Sequence, residues 1–271
     1  MNGPVRPTVL ISRFVDDPLM DLSFFEGSSM QVAFYKRSVF RYFDHKLFVR
    51  RLDEAGIRVE SVHAPAMDVY HQANNEFMTT LKTIRDVYGV RVITIHPQRG
   101  DKRQAKAYYR KLDGDIREMD IVLAYETFEK EAMETKWISQ LKEMHEYFDL
   151  MAFPFLGITY DFTHGDWATM MDEVRAYHRK IEVIHFSDAL QNRPVDKNEY
   201  HQHLPLGSGD FPVLPFLGLL GELGYGRFIV LEYHPHNDRL LRGDAAALEK
   251  YISGDREEFL SLLEERTAMR K

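Results

Sequence analysis

VRVITIH, from Val90 to His96, and IVLAYE, from Ile121 to Glu126, are short apolar runs that each finish on a side chain able to hold a cation. Neither alternates apolar with polar residues. Near-continuous runs of this length read as parallel strands covered by helices. Working outward, TVLIS at Thr8–Ser12, MQVAFY at Met30–Tyr35 and RVESVH at Arg58–His63 precede them. LGITYD at Leu156–Asp161, IEVIH at Ile181–His185 and RFIVLE at Arg227–Glu232 follow.

Longer patterns of helical period separate these runs. FDHKLFVRRLDEAG sets Phe43, Leu47, Phe48 and Leu52 on one face, with Gly56 as its stop. NNEFMTTLKTIRDVYG spaces Phe77, Leu81, Ile84 and Tyr88 by three or four and closes on Gly89. FLGLLGELGYG precedes the last strand, and Ala245 to Met269 reads as a helical tail interrupted near Gly254. Parallel strands need crossovers of this kind. Closing eight of them gives an α/β fold, a (β/α)8 TIM barrel, as a single domain over 1–271. An open doubly wound sheet is the rival arrangement. No G-x-G-x-x-G follows the first strand, and neither a P-loop nor a G-x-S-x-G turn is present.

Composition narrows the chemistry. The chain has 271 residues, within the usual span of one barrel, and 44% of them are hydrophobic. It has no cysteine, so thiolate sites and disulfides are excluded and any metal must be held by imidazole and carboxylate. No apolar run reaches the length of a membrane span, and the N-terminus lacks signal-peptide character. A cytoplasmic protein with no membrane partner is the expectation. The net charge of −7 weighs against general nucleic-acid binding.

Six consecutive strands end on His63, His96, Glu126, Asp161, His185 and Glu232, although His, Asp and Glu make up only about one residue in five. Strand C-termini converge at the mouth of a barrel, so residues remote in sequence would meet there. Mixed nitrogen and oxygen donors suit Zn or Mn best, with Mg or Co also able to fit. Each residue also has an ordinary use. A single histidine is often a hydrogen-bonded structural residue, and Asp161 could cap the next helix. Glu126 and Glu232 end apolar runs with no local partner, which is costly for a buried carboxylate without a role. His164 in DFTH, and His201 and His203 in HQHLPLGSGDF, are further candidates, His201 the weakest of them. His234 and His236 in EYHPH read as mouth-lining or surface residues. YKRSVFRYF, from Tyr35 to Phe43, reads as a helix start packed on the barrel in preference to a substrate cleft.

The succession VHAP, IHPQRG, YETF, YDFTH, IHFSD, HLPLGSGDF and IVLEYH, over roughly residues 58–235, resembles the xylose isomerase-like TIM-barrel superfamily. That superfamily includes sugar phosphate isomerases and epimerases and the endonuclease IV type of AP endonuclease. The epimerase branch implies one metal held by Glu126, Asp161, His185 and Glu232. It implies Glu126 and Glu232 as the catalytic acid and base beside a metal-polarised carbonyl, and His164 as a substrate contact. An arginine that this branch places six residues after the metal histidine falls here on Gln191, with Arg193 two further on as the substrate-binding candidate. The endonuclease branch implies three zinc ions on His63, His96, Glu126, Asp161, His164, His185, His203 and Glu232. His201 stands where that branch has an aspartate. The resemblance therefore implies a sugar or sugar-phosphate isomerase or epimerase, with a multinuclear zinc phosphoester hydrolase acting on nucleic acid as the alternative. A non-catalytic small-molecule-binding barrel is the third reading. Oligomeric state is open, a homo-oligomer included.

Overall fold

The computed structural model describes residues 5–67, 69, 74–96, 102–127, 145, 148, 152–164, 167–190 and 202–270. Eight parallel strands close into a barrel in sequence order. They are β1 (Thr8–Phe14), β2 (Ser29–Ala33), β3 (Arg58–His63), β4 (Val92–Ile95), β5 (Val122–Glu126), β6 (Leu156–Asp161), β7 (Ile181–Phe186) and β8 (Phe228–Leu231). Closure rests on β1 pairing β8, from Thr8 opposite Phe228 to Ile11 opposite Leu231. That pairing rules out the open sheet. All eight sequence runs become strands, with ends shifted by at most two residues.

Helices α1 (Arg37–Tyr42), α2 (His45–Glu54), α3 (Asn74–Thr83), α4 (Lys102–Glu118), α5 (Trp167–Tyr177), α6 (Val213–Glu222), α7 (Asp238–Ser253) and α8 (Glu257–Met269) are the described α-helices. Helix α2 begins where the Asp44 side chain accepts a hydrogen bond from the Leu47 N–H at 2.9 Å, which satisfies one of the free donors of the first turn. It buries Phe48 and Leu52, each such side chain contributing about 2 kcal/mol. Gly56, at φ 66°, takes the left-handed turn that lets the chain re-enter the barrel. Helix α3 continues into one π-helical turn over Ile84–Tyr88 before Gly89 ends it at φ 69°. The interruption near Gly254 separates α7 from α8, again through a left-handed glycine.

Most of the core lies between strands and helices. Inside the barrel a separate apolar group, Leu10, Val183 and Val230, plugs the interior. Val183 and Val230 stand two residues before His185 and Glu232. On a strand that puts them on the same inward face, about 7 Å deeper. The plug therefore lies beneath the strand ends where the ligand candidates converge. Among the described residues no helix is long and apolar enough to cross a membrane.

Candidate metal centre

His63, Glu126 and Asp161 are the last residues of their strands, His185 is next to last, and His96 and Glu232 lie one residue beyond theirs. The barrel brings all six together at its mouth, in two groups that share Glu126. One group is His63, His96 and Glu126, and the other is Glu126, Asp161, His185 and Glu232. Glu126 Oε2 is 3.2 Å from His63 Nε2 and 3.1 Å from His96 Nε2. Its other oxygen, Oε1, is 2.8 Å from His185 Nδ1, which also lies 2.8 Å from Glu232 Oε2 and 3.9 Å from Asp161 Oδ2.

Supports fix the directions of these groups. His63 Nδ1 donates to the Ala64 carbonyl at 3.1 Å, which leaves Nε2 facing Glu126. Asp161 Oδ1 accepts from the Thr163 N–H at 2.9 Å and from its hydroxyl at 2.6 Å, turning Oδ2 toward His185. Thr127 Oγ1 accepts from the Asp161 N–H at 2.8 Å and ties strand β5 to β6 at this level.

Electrostatics in the cluster call for positive charge between the carboxylates. Burial works against a charged His185, yet Glu232 and Glu126 outweigh it and hold the imidazole well above its usual value. Burial likewise opposes ionised Glu126, but His63, His185 and His96 hold it well below the carboxylate range. Glu232 is also lowered, against its burial, mainly by His185. His185 Nδ1 and Glu232 Oε2 are buried and, among the described residues, make no hydrogen bond of acceptable angle despite their short approach. Both atoms belong to the quartet whose ligand atoms lie within 4.8 Å of one another, close enough to share one central point. A divalent cation at that point would satisfy them, so the donor set fits one. The oxygen-rich quartet suits Mn or Zn, and the nitrogen-rich triad suits Zn.

The remaining candidates are not in these two groups. His203 belongs to neither group; its Nδ1 lies 3.3 Å from the Glu232 carbonyl, and its backbone takes the left-handed conformation at φ 54°. His164 ends a short 3-10 turn directly after β6. His201 and Arg193, with Gln191, lie outside the described residues. His234 and His236 are mutual neighbours, Nδ1 to Nδ1 at 2.7 Å. In the stretch Tyr35 to Phe43, Phe40 and Phe43 are buried around Phe34, as expected for a packed helix start. Arg37, Phe40 and Arg41 also line a cavity of about 470 Å³ with His45 and Glu76, and none of the six mouth residues borders it.

Asp188 is a site residue that the sequence concealed. Its buried carboxylate accepts from the backbone N–H groups of Ala189 at 2.8 Å, Phe211 at 3.0 Å and Gly207 at 3.0 Å. It thereby folds the loop carrying His203 back onto the end of β7. Gly209 is required there, since a Cβ would stand 2.1 Å from Asp188 Oδ1 and 2.3 Å from the Ala189 carbonyl. The signal available was the pair IHFSD and LGSGDF, a buried acid followed by a glycine-rich turn.

A closed parallel barrel that gathers carboxylates and imidazoles at its C-terminal mouth places them on the face where the active sites of TIM-barrel enzymes lie. Residues 23–251 match the family model of the xylose isomerase-like TIM barrel, and the chain belongs to that family. The fold is shared with a xylose isomerase domain protein from Planctomyces limnophilus, at 18% identity and TM-score 0.63 over 95% of this chain and 100% of that one. It is shared with a 3-keto-D-glucoside 4-epimerase from E. coli, at 11% identity and TM-score 0.67 over 91% and 100%. An AP endonuclease, family 2, from Brucella melitensis is similar at 13% identity and TM-score 0.59 over 84% and 93%. At these identities the likeness establishes the fold alone. No curated protein sequence matches the chain.

Proposed function

We propose that the protein is a divalent-metal-dependent enzyme that isomerises or epimerises a sugar or sugar phosphate, with Glu126 and Glu232 as its proton-carrying pair. The observation that carries this reading is that His185 Nδ1 meets both glutamates at 2.8 Å. The two carboxylates therefore flank one cation position, held by Glu126, Asp161, His185 and Glu232. A bound metal would supply polarisation of a substrate carbonyl. Glu126 and Glu232 would serve the adjacent carbon, one to take its proton and the other to return it. His164 and Arg193 are the proposed contacts to substrate hydroxyl or phosphate groups. The 3-keto-D-glucoside 4-epimerase of like fold agrees with this reading.

The test is deuterium incorporation. Mn- or Zn-loaded protein is incubated in D2O with a panel of ketoses and ketose phosphates, and exchange at the carbon next to the carbonyl is followed by NMR. Exchange that disappears in Glu232→Gln while metal content is kept supports the reading. Full turnover in that variant removes Glu232 from the proton pathway.

One observation favours a second reading. Glu126 Oε2 is claimed by His63 and His96, so Glu126 can bridge two cations, as a multinuclear zinc phosphoester hydrolase would require. A bridging Glu126 has no oxygen left to carry a proton. Two or more zinc ions per chain, with cleavage of abasic-site DNA, would replace the first reading by this one.

A further inference from the structure

Beneath the mouth the barrel holds a second set of polar side chains. Ser61, Thr94 and Thr159 stand two residues before His63, His96 and Asp161, hence on the same inward face. These three and Gln31 of β2 are fully buried. Buried polar groups are costly unless every donor meets an acceptor. Here each of them has a partner.

The count of protons starts at the backbone. Ser61 Oγ lies 3.1 Å from the Val92 carbonyl, and Thr159 Oγ1 lies 3.4 Å from the Ala124 carbonyl. A carbonyl only accepts, so each hydroxyl commits its one hydrogen there. Thr94 Oγ1 is 2.9 Å from Thr159 Oγ1 and, with the Thr159 hydrogen on the Ala124 carbonyl, is the donor of that pair. The oxygens of Ser61 and Thr94, each 3.2 Å from the Gln31 side-chain nitrogen, are left as acceptors. Gln31 must turn its NH2 toward them and its carbonyl away. That carbonyl, Oε1, lies 3.0 Å from His185 Nε2. His185 Nε2 therefore carries a hydrogen, and Nδ1 is the nitrogen offered to the carboxylates.

We propose that Gln31 is a positioning residue: through this chain of hydrogen bonds it fixes the His185 ring so that Nδ1 faces the cation, and it thereby sets the affinity of the site. The affinity part rests on the metal-centre reading, whereas the ring assignment stands without an ion. Partners that orient a ligating histidine generally govern affinity by about ten- to a hundredfold.

The test compares Gln31→Leu with Gln31→Glu. Zn2+ affinity is measured by competition with a chromophoric chelator, and folding by circular dichroism. The leucine variant should bind Zn2+ about ten- to a hundredfold more weakly with an unchanged spectrum. The glutamate variant keeps an acceptor at Nε2, the Ser61 and Thr94 hydroxyls turning to donate to its second oxygen, and should stay within a few-fold of the unaltered protein. The second readout is NMR of ion-free protein with 15N-labelled histidine. A low-field Nε2–H signal from His185 should persist in the glutamate variant and vanish in the leucine variant. Unchanged Zn2+ affinity in the leucine variant overturns the affinity role. A His185 Nε2 without its proton, or a signal indifferent to residue 31, overturns the ring assignment. If the unaltered protein binds no ion while the signal follows Gln31, the metal reading and the affinity role fall and the ring assignment survives.

Discussion

Asp244 and Arg266 form a two-pronged ion pair, at 2.6 and 2.7 Å, that fastens helix α8 to helix α7. Asp244 also accepts from the Tyr233 hydroxyl at 2.7 Å, and Arg266 reaches the Leu206 carbonyl at 3.0 Å. Tyr233 follows Glu232 directly, so the last helix braces a ligand strand. Removing one partner of a buried pair strands the other charge. Arg266→Met should cost about 3 kcal/mol. Thermal unfolding should then fall by roughly 6 to 12 °C. The double change Asp244→Leu with Arg266→Met should recover most of the loss, since neither charge is left alone. A single variant with unchanged Tm would show that the pair braces nothing.

Sharing of Glu126 between two groups sets an order among ligand variants. Glu126→Ala should lower the ion content of both groups, whereas His63→Ala should spare the quartet of Glu126, Asp161, His185 and Glu232. Elemental analysis after dialysis against Zn2+ or Mn2+ checks this. Equal ion content in the two variants would mean that Glu126 is not the shared ligand.

At Gly209 the crowding against Asp188 and Ala189 is with fixed groups. Gly209→Ala must displace the loop and should cost about 2 to 3 kcal/mol, the usual penalty of forced overpacking. Chemical unfolding measures the cost. Limited proteolysis should show new cleavage near residue 209. A variant as stable and as resistant as the unaltered protein would mean that the loop gives way freely.

His45 supplies a pH dependence of stability. Its Nε2 donates to the Phe40 carbonyl at 2.8 Å, which leaves Nδ1 to accept from the Tyr88 hydroxyl at 2.8 Å. Burial lowers its pKa below the ordinary imidazole value. The unfolded chain therefore takes up the proton first as pH falls. The contribution of His45 is whole above its unfolded value of about 6.5 and is lost as pH drops from there through the folded value. The stability gap between the protein and His45→Gln, read from urea midpoints, should shrink between about pH 7.5 and pH 5. A gap independent of pH would contradict the neutral ring.

The barrel and its ring of ligands were legible because each ligand interrupts an apolar run at its end, where a polar residue stands out. Closure was not local information. It depends on β1 pairing β8, some 220 residues apart. Gln31 was hidden as one polar residue within MQVAFY, and Ser61, Thr94 and Thr159 are ordinary residues for strands. Their role exists only as a circuit across four strands. The π turn at Ile84–Tyr88 was hidden too, because a spacing of three and four residues between apolar positions tolerates one widened turn.

His203 pays for its place with its backbone. Its left-handed φ of 54° costs a residue with a side chain roughly 1 kcal/mol, which glycine or asparagine would largely escape. A campaign that selects only for heat tolerance should therefore find His203→Gly or His203→Asn among its early gains. Such a variant would trade the imidazole whose Nδ1 lies 3.3 Å from the Glu232 carbonyl for a more relaxed chain. If activity falls as stability rises in such variants, the position marks a point where durability and chemistry pull against each other.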